Sequence, residues 1–159
     1  MVHAVVQYVE NRSIMREEII PIENFRVGVK AETWQEAVQA AGQVLLDKGS
    51  ITQQYIDDMI QAVYDLGPYM VLMPNFALAH AEPCAAVLKD DMSLILLEKP
   101  VEFHCENDPV TVILCVACVN RDSHREALTR VADALMDDAI YDRLAEAKTV
   151  EEAYEILHE

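Results

Sequence analysis

The amino-acid sequence predicts an α/β fold of α+β-like order, with one sheet carrying helices on both sides. Three observations carry that prediction. Two stretches with apolar residues recurring at three and four positions come early, four short runs rich in bulky or β-branched residues fill the middle, and capped helical patterns close the chain. Strands flanked in sequence by helices must bury both faces of their sheet, which leaves the middle strands to supply a site. A chain of 159 residues without a Pro/Gly/Ser-rich linker reads as one domain over residues 1–159. It shows no repeat with a period of roughly 20 to 50 residues.

Residues 2–9 form a short apolar opening, and residues 16–30 read as turns plus an extended piece, with Pro21 and Gly28 as breakers. Thr33-Trp34-Gln35-Glu36 has the pattern of a capping box. Trp34, Ala37, Val38, Ala41, Val44 and Leu45 then keep helical spacing up to a Lys48-Gly49 stop. Thr52 can cap a second helix through Tyr55, Ile56, Met59, Ile60 and Val63, ending near Leu66-Gly67-Pro68. Strands are expected over 69–73, 76–81, 93–97 and 110–119, each bounded by Pro, Asn or Asp, and the continuous apolarity of the last implies a central strand covered on both faces. Ser123-His124-Arg125-Glu126 matches another capping box, opening a helix through Ala127, Leu128, Val131, Ala134 and Leu135. A short helix from about Ala139 and a last one capped by Thr149, with Glu152 completing the box, finish the chain.

Composition excludes several functions. With 28 acidic against 12 basic residues, a net charge of -16, the surface repels nucleic-acid backbones and anionic lipid while attracting a basic patch on a partner protein. The same charge would serve simply to keep the chain soluble. Cys84, Cys105, Cys115 and Cys118 are too few for a disulfide scaffold, and the N-terminus lacks a secretion signal, so a cytoplasmic location is expected and the Asn11-Arg12-Ser13 glycosylation match is chance. The longest apolar run, 110–119, is about half a membrane span. No Gly-rich phosphate loop, dinucleotide fingerprint or nucleophile elbow occurs. Histidine is what remains.

His80 lies in N-F-A-L-A-H-A-E-P-C, and three readings compete for it. As a zinc ligand, H-A-E at 80–82 with the C-x-x-C at 115–118 would suit a deaminase, but Leu114 stands where that pattern wants Pro. Cys115 and Cys118, three apart on a strand, would also point to opposite faces, which fits small core residues better. As a nucleophile, a neutral imidazole at a strand end can accept a phosphoryl group on one nitrogen while the other is fixed by a hydrogen bond, with Pro74 and Asn75 making the turn that leaves it near the surface. His124, in the first turn of a capped helix, would meet phosphate near free N–H groups. A purely structural His80 stands beside these readings on residue type alone.

K-A-E-T-W-Q-E-A-V-Q-A-A-G-Q-V-L-L-D-K-G, Y-I-D-D-M-I, L-G-P-Y-M-V-L-M-P-N-F-A-L-A-H-A, L-E-K-P-V-E-F and N-D-P-V-T-V-I-L-C-V-A-C-V-N-R-D-S-H-R-E-A-L follow one another from about Ile14 onward. In order and spacing they resemble the IIA domain of the sugar phosphotransferase system (PTS), mannitol/fructose-type superfamily, and look most like its ascorbate-type branch. The resemblance implies a mixed sheet flanked by helices. It implies that His80 accepts phosphate from the carrier protein HPr and passes it to a cysteine of a IIB component, and that His124 orients or stabilises the phosphohistidine. It implies no cofactor and no metal, partners that are proteins, no nucleic acid, and membrane contact only indirectly through a IIC permease. A homo-oligomer stays open.

The chain departs from the family pattern at Asn75 (usually Gly), at Ala79 (usually Pro) and at Glu82, where ascorbate-like members tend to carry Arg. Tyr64 stands near the position of an upstream arginine in mannitol-type members. A carboxylate two residues from the acceptor would repel an incoming dianion by about 1 to 4 kcal/mol at 4 Å and surface dielectric. It would also raise the imidazole pKa. A degenerate IIA-like module that regulates a partner with little phosphotransfer is therefore the alternative expectation.

Overall fold

A computed structural model of the chain describes residues 18–159, so the apolar opening at 2–9 and the Asn11-Arg12-Ser13 triplet lie outside the described residues. Strands β1 (Phe25–Val29), β2 (Val71–Met73), β3 (Asn75–Ala79), β4 (Asp91–Val101) and β5 (Val110–Ala117) form one sheet in the order β1-β4-β5-β3-β2. β1 pairs with β4 and β3 with β5 in parallel, whereas β4–β5 and β2–β3 run antiparallel. The sheet is mixed, as the family resemblance implies.

Period-2 alternation sorts the central strands between two cores. Ile95 and Leu97 of β4, Ile113, Cys115 and Ala117 of β5, and Ala77 and Ala79 of β3 pack under α1 (Trp34–Asp47) and α2 (Gln53–Leu66). Met92, Leu94 and Leu96, then Val112, Leu114 and Val116, and Phe76 and Leu78 face the other way. They pack under α3 (Arg121–Ala134), α4 (Ala139–Glu146) and α5 (Val150–Leu157). β5 is the doubly covered strand that its unbroken apolarity predicts. Cys115 and Cys118 fall in different cores, so the pair cannot close on one ion. Burial pushes their thiols up, to about 12 and about 11, which keeps both protonated and unreactive near neutral pH.

Boundaries shift for local reasons. β4 is longer than expected because an exposed arm, Glu98-Lys99-Pro100, continues it past a register break between Leu96 and Val101, where a proline is tolerated. Thr33 caps α1, its hydroxyl accepting from Glu36 N–H at 3.2 Å, but the Glu36 carboxylate accepts from Glu32 N–H instead of closing a box on Thr33. Thr52 precedes α2 without any side-chain capping bond. Its hydroxyl donates to the Ala86 carbonyl at 3.4 Å.

The largest correction concerns α3, which starts at Arg121, not after Ser123. Asn120 is the cap, accepting from Ser123 N–H at 2.8 Å while the Ser123 hydroxyl lies 3.4 Å from Asn120 N–H. His124 therefore sits a position beyond the first three helical residues and its N–H already donates to the Asn120 carbonyl. Its backbone has no donor to spare for phosphate; only its ring can serve.

Candidate functional site

β3 ends at Ala79, which pairs with Cys115, and the next residue is His80. Counting by two from Phe76 and Leu78 places its ring on the α3 side of the sheet. There it meets His124, the ring centroids 5.7 Å apart and the planes at 39°. The two histidines that the sequence singles out, separated by a strand, a loop and another strand, share one site.

His80 is half-buried, and its Nδ1 lies 2.7 Å from the Leu78 carbonyl oxygen. A carbonyl can only accept, so Nδ1 carries the ring proton and Nε2 keeps its lone pair. The Nδ1 of His124 is buried and has no hydrogen-bond partner among the described residues.

Two tyrosines that sequence reading takes for packing residues hold the backbone around His80. The Tyr69 hydroxyl donates to the His80 carbonyl, and its ring stands edge-on to the imidazole at 5.2 Å and 86°. The Tyr55 hydroxyl, fully buried, donates to the Val116 carbonyl at 2.8 Å, lies 3.3 Å from the Ala81 carbonyl and accepts from Ala81 N–H at 3.0 Å. An orphaned buried amide or carbonyl costs about 1 to 3 kcal/mol, so these bonds matter locally. The available signal was chemical: a buried tyrosine needs a partner for its hydroxyl.

Burial lowers the His80 pKa and His124 lowers it further, outweighing the hydrogen bond to Leu78 and the pull of Glu82, which both raise it. Glu82 is exposed and lies past the end of β3, where solvent screens it. The expected rise in imidazole pKa is thus overturned: desolvation of the charged form wins over one screened carboxylate. Protonation removes the Nε2 lone pair, so nucleophilicity is lost as pH falls through this lowered pKa and is retained at neutral pH. An NMR titration of the His80 ring is expected to give a midpoint below the ordinary 6.5. A midpoint above that value would put Glu82 in control.

Asn75 adopts a left-handed conformation, φ 75°, at the turn between β2 and β3, and its side-chain oxygen accepts from Thr111 N–H at 3.1 Å. Asparagine tolerates this region better than other non-glycine residues, so it can stand where the family has Gly. Ala79 keeps its place in the ladder opposite Cys115. Beside His80 an open apolar groove of about 520 Å³ runs between β2–β3 and α3–α4, walled by Leu72, Met73, Phe76, Leu78, Leu128, Val131, Leu135 and Tyr141. Leu72 is 51% exposed at its rim, while Asp133, Asp137 and Asp138 are exposed at the end of α3 and in the loop after it. Among the described residues no helix is long and apolar enough to cross a membrane.

Residues 18–159 match the family model described as phosphoenolpyruvate-dependent sugar phosphotransferase system, EIIA 2. The chain is 31% identical over 145 residues to the ascorbate-specific PTS system EIIA component of Escherichia coli K12, covering 90% of this chain and 94% of that relative. Among solved structures it is similar to the mannitol-specific cryptic phosphotransferase enzyme IIA of Escherichia coli, with a TM-score of 0.81, 30% identity, and coverage of 89% of this chain and 99% of that one. It is also similar to a chain in the complex of mannitol enzyme IIA with phosphorylated enzyme IIB from Escherichia coli, with a TM-score of 0.75, 28% identity, and coverage of 87% and 96%.

Proposed function

The chain belongs to the EIIA 2 family of the phosphoenolpyruvate-dependent sugar phosphotransferase system, and from that premise we propose that it is a phosphocarrier in which His80 takes a phosphoryl group from phospho-HPr and hands it to a cysteine of a IIB component. The observation that carries the proposal is the His80 ring itself, with Nδ1–H tied to the Leu78 carbonyl and Nε2 left as a lone pair beside His124.

The chemistry follows from that tautomer. The Nε2 lone pair attacks phosphorus in line as the P–N bond to the donor histidine breaks, and the donor nitrogen leaves with the bonding pair. The His80 ring then carries the phosphoryl group on Nε2, its proton on Nδ1 and a formal positive charge that the Leu78 carbonyl stabilises. In the onward step a IIB thiolate attacks phosphorus, and Nε2 departs as a neutral base needing no proton from elsewhere. His124 brings an unspent nitrogen to the same place, and a phosphoryl oxygen would relieve the cost of leaving its buried Nδ1 unpartnered. The phosphoryl group rides on the protein, so the cycle calls for neither metal nor nucleotide.

The apolar groove beside His80 suits a partner presenting apolar side chains, and the net charge of -16 suits basic groups around them. We assign that role to HPr and IIB in turn, acting on the cytoplasmic side of a IIC permease. The names of the relatives, ascorbate-specific and mannitol-specific, support a reading in which the system takes up a sugar or sugar acid. The regulatory reading rests on Glu82, and the outweighed pull of that carboxylate on His80 removes half of its argument.

Incubation with phosphoenolpyruvate, enzyme I and HPr tests the proposal by intact mass. A gain of about 80 Da, discharged on addition of IIB, is the expected result. No adduct under conditions that load an active IIA domain would replace the carrier with the regulator.

A further inference from the structure

Among the described residues no strand pairs with His80 or Ala81, and two tyrosine hydroxyls take over the work of the ladder there. From this arrangement we propose that Tyr69, backed by Tyr55, is a positioning residue that holds the His80 ring in the form with a free Nε2 lone pair. The functional consequence rests on the phosphocarrier reading above; the geometry does not.

Register between β3 and β5 ends at Ala79 opposite Cys115. The polar backbone groups of His80 and Ala81 must find partners elsewhere, because buried ones cannot be left open. Tyr69 supplies a donor to the His80 carbonyl, and Tyr55 accepts from Ala81 N–H at 3.0 Å while its own proton points to the Val116 carbonyl at 2.8 Å. Tyr55 thus ties the segment after His80 to α2 and to β5 at once. The bond from His80 Nδ1–H back to Leu78, at 2.7 Å, spans only two residues. It forms only while the dihedrals from Leu78 to His80 stay in one well, and those dihedrals are what the two hydroxyls restrain. The Tyr69 ring, edge-on to the imidazole at 5.2 Å, also limits rotation of the His80 side chain.

The Tyr69 phenol is pushed up to about 12, first by burial and then by Glu82. It therefore remains a donor throughout the pH range in which His80 titrates.

The test compares wild type with Tyr69→Phe, which keeps the ring and loses only the hydroxyl. Ring nitrogen NMR on the unphosphorylated proteins is expected to give the Nδ1–H form of His80 in wild type and a mixture with the Nε2–H form in the variant, with amide dispersion in the same samples reporting the fold. Phosphoryl uptake from phospho-HPr is expected to fall about tenfold in kcat with KM unchanged, because the groove that docks the donor is untouched. An unchanged tautomer or an unchanged kcat in Tyr69→Phe overturns the proposal. If wild type takes up no phosphoryl group at all, the phosphocarrier reading fails, and the tautomer comparison still decides the role of Tyr69.

Discussion

Replacing His80 with glutamine is expected to reduce phosphoryl uptake to background, with no gain of about 80 Da under conditions that load the wild type fully. The amide has nearly the volume of the ring and sits half-buried just past the end of β3, so the fold has no reason to fail. What disappears is the lone pair. The two cysteines of β5 and its end cannot replace it, because Cys115 and Cys118 are buried thiols held protonated. Loss of a covalent nucleophile costs on the order of a millionfold in enzymes that depend on one. A His80→Gln protein that still acquired the adduct would move the acceptor elsewhere.

His124→Ala is the second large effect, expected to slow loading of His80 by about a hundredfold, the scale at which one preorganised donor to a transition-state charge acts. The variant is also expected to shorten the lifetime of the phosphohistidine, because the ring 5.7 Å from His80 is gone when the phosphoryl oxygens need a partner. Alanine is a better helix former than histidine, so α3 gains rather than loses local preference. Stopped-flow loading and acid-quench decay read the two effects separately. Rates within about threefold of wild type would assign His124 to packing alone.

Much of the sheet was legible because the pattern of apolar residues is the pattern of its two cores. The unbroken run in β5 announces burial on both faces, and the alternation through Phe76 and Leu78 carries His80 to the α3 side. The site pair was legible too, though only as residues of suitable chemistry: nothing local in the sequence states that α3 lies over the end of β3. The start of α3 was misread because Ser123 and Glu126 have the spacing of a capping box. Asn120 and Ser123 form one a turn earlier, with the serine hydroxyl in the place of the usual carboxylate. Asn120 has the stronger claim as a cap, since its side-chain oxygen reaches Ser123 N–H at 2.8 Å.

Tyr55 and Tyr69 escaped for a different reason. Both occupy positions where helical or strand spacing calls for an apolar residue, and their rings oblige by packing. The decisive bonds run from Tyr69 to His80 and from Tyr55 to Ala81 and Val116, pairings set by the sheet register and by α2 crossing it. Glu82 shows the converse. In sequence it is two residues from the acceptor and looks dominant, yet it is exposed beyond the strand end while the imidazole is shielded, so burial decides the sign of the shift.

Nitrogen–phosphorus coupling in the phosphorylated protein, with its histidines labelled with nitrogen-15, reads the reacting atom directly. The expected result is phosphorus bonded to Nε2 of His80, with the Nδ1 proton still hydrogen-bonded. Phosphorus on Nδ1, or on any other residue, would contradict the account.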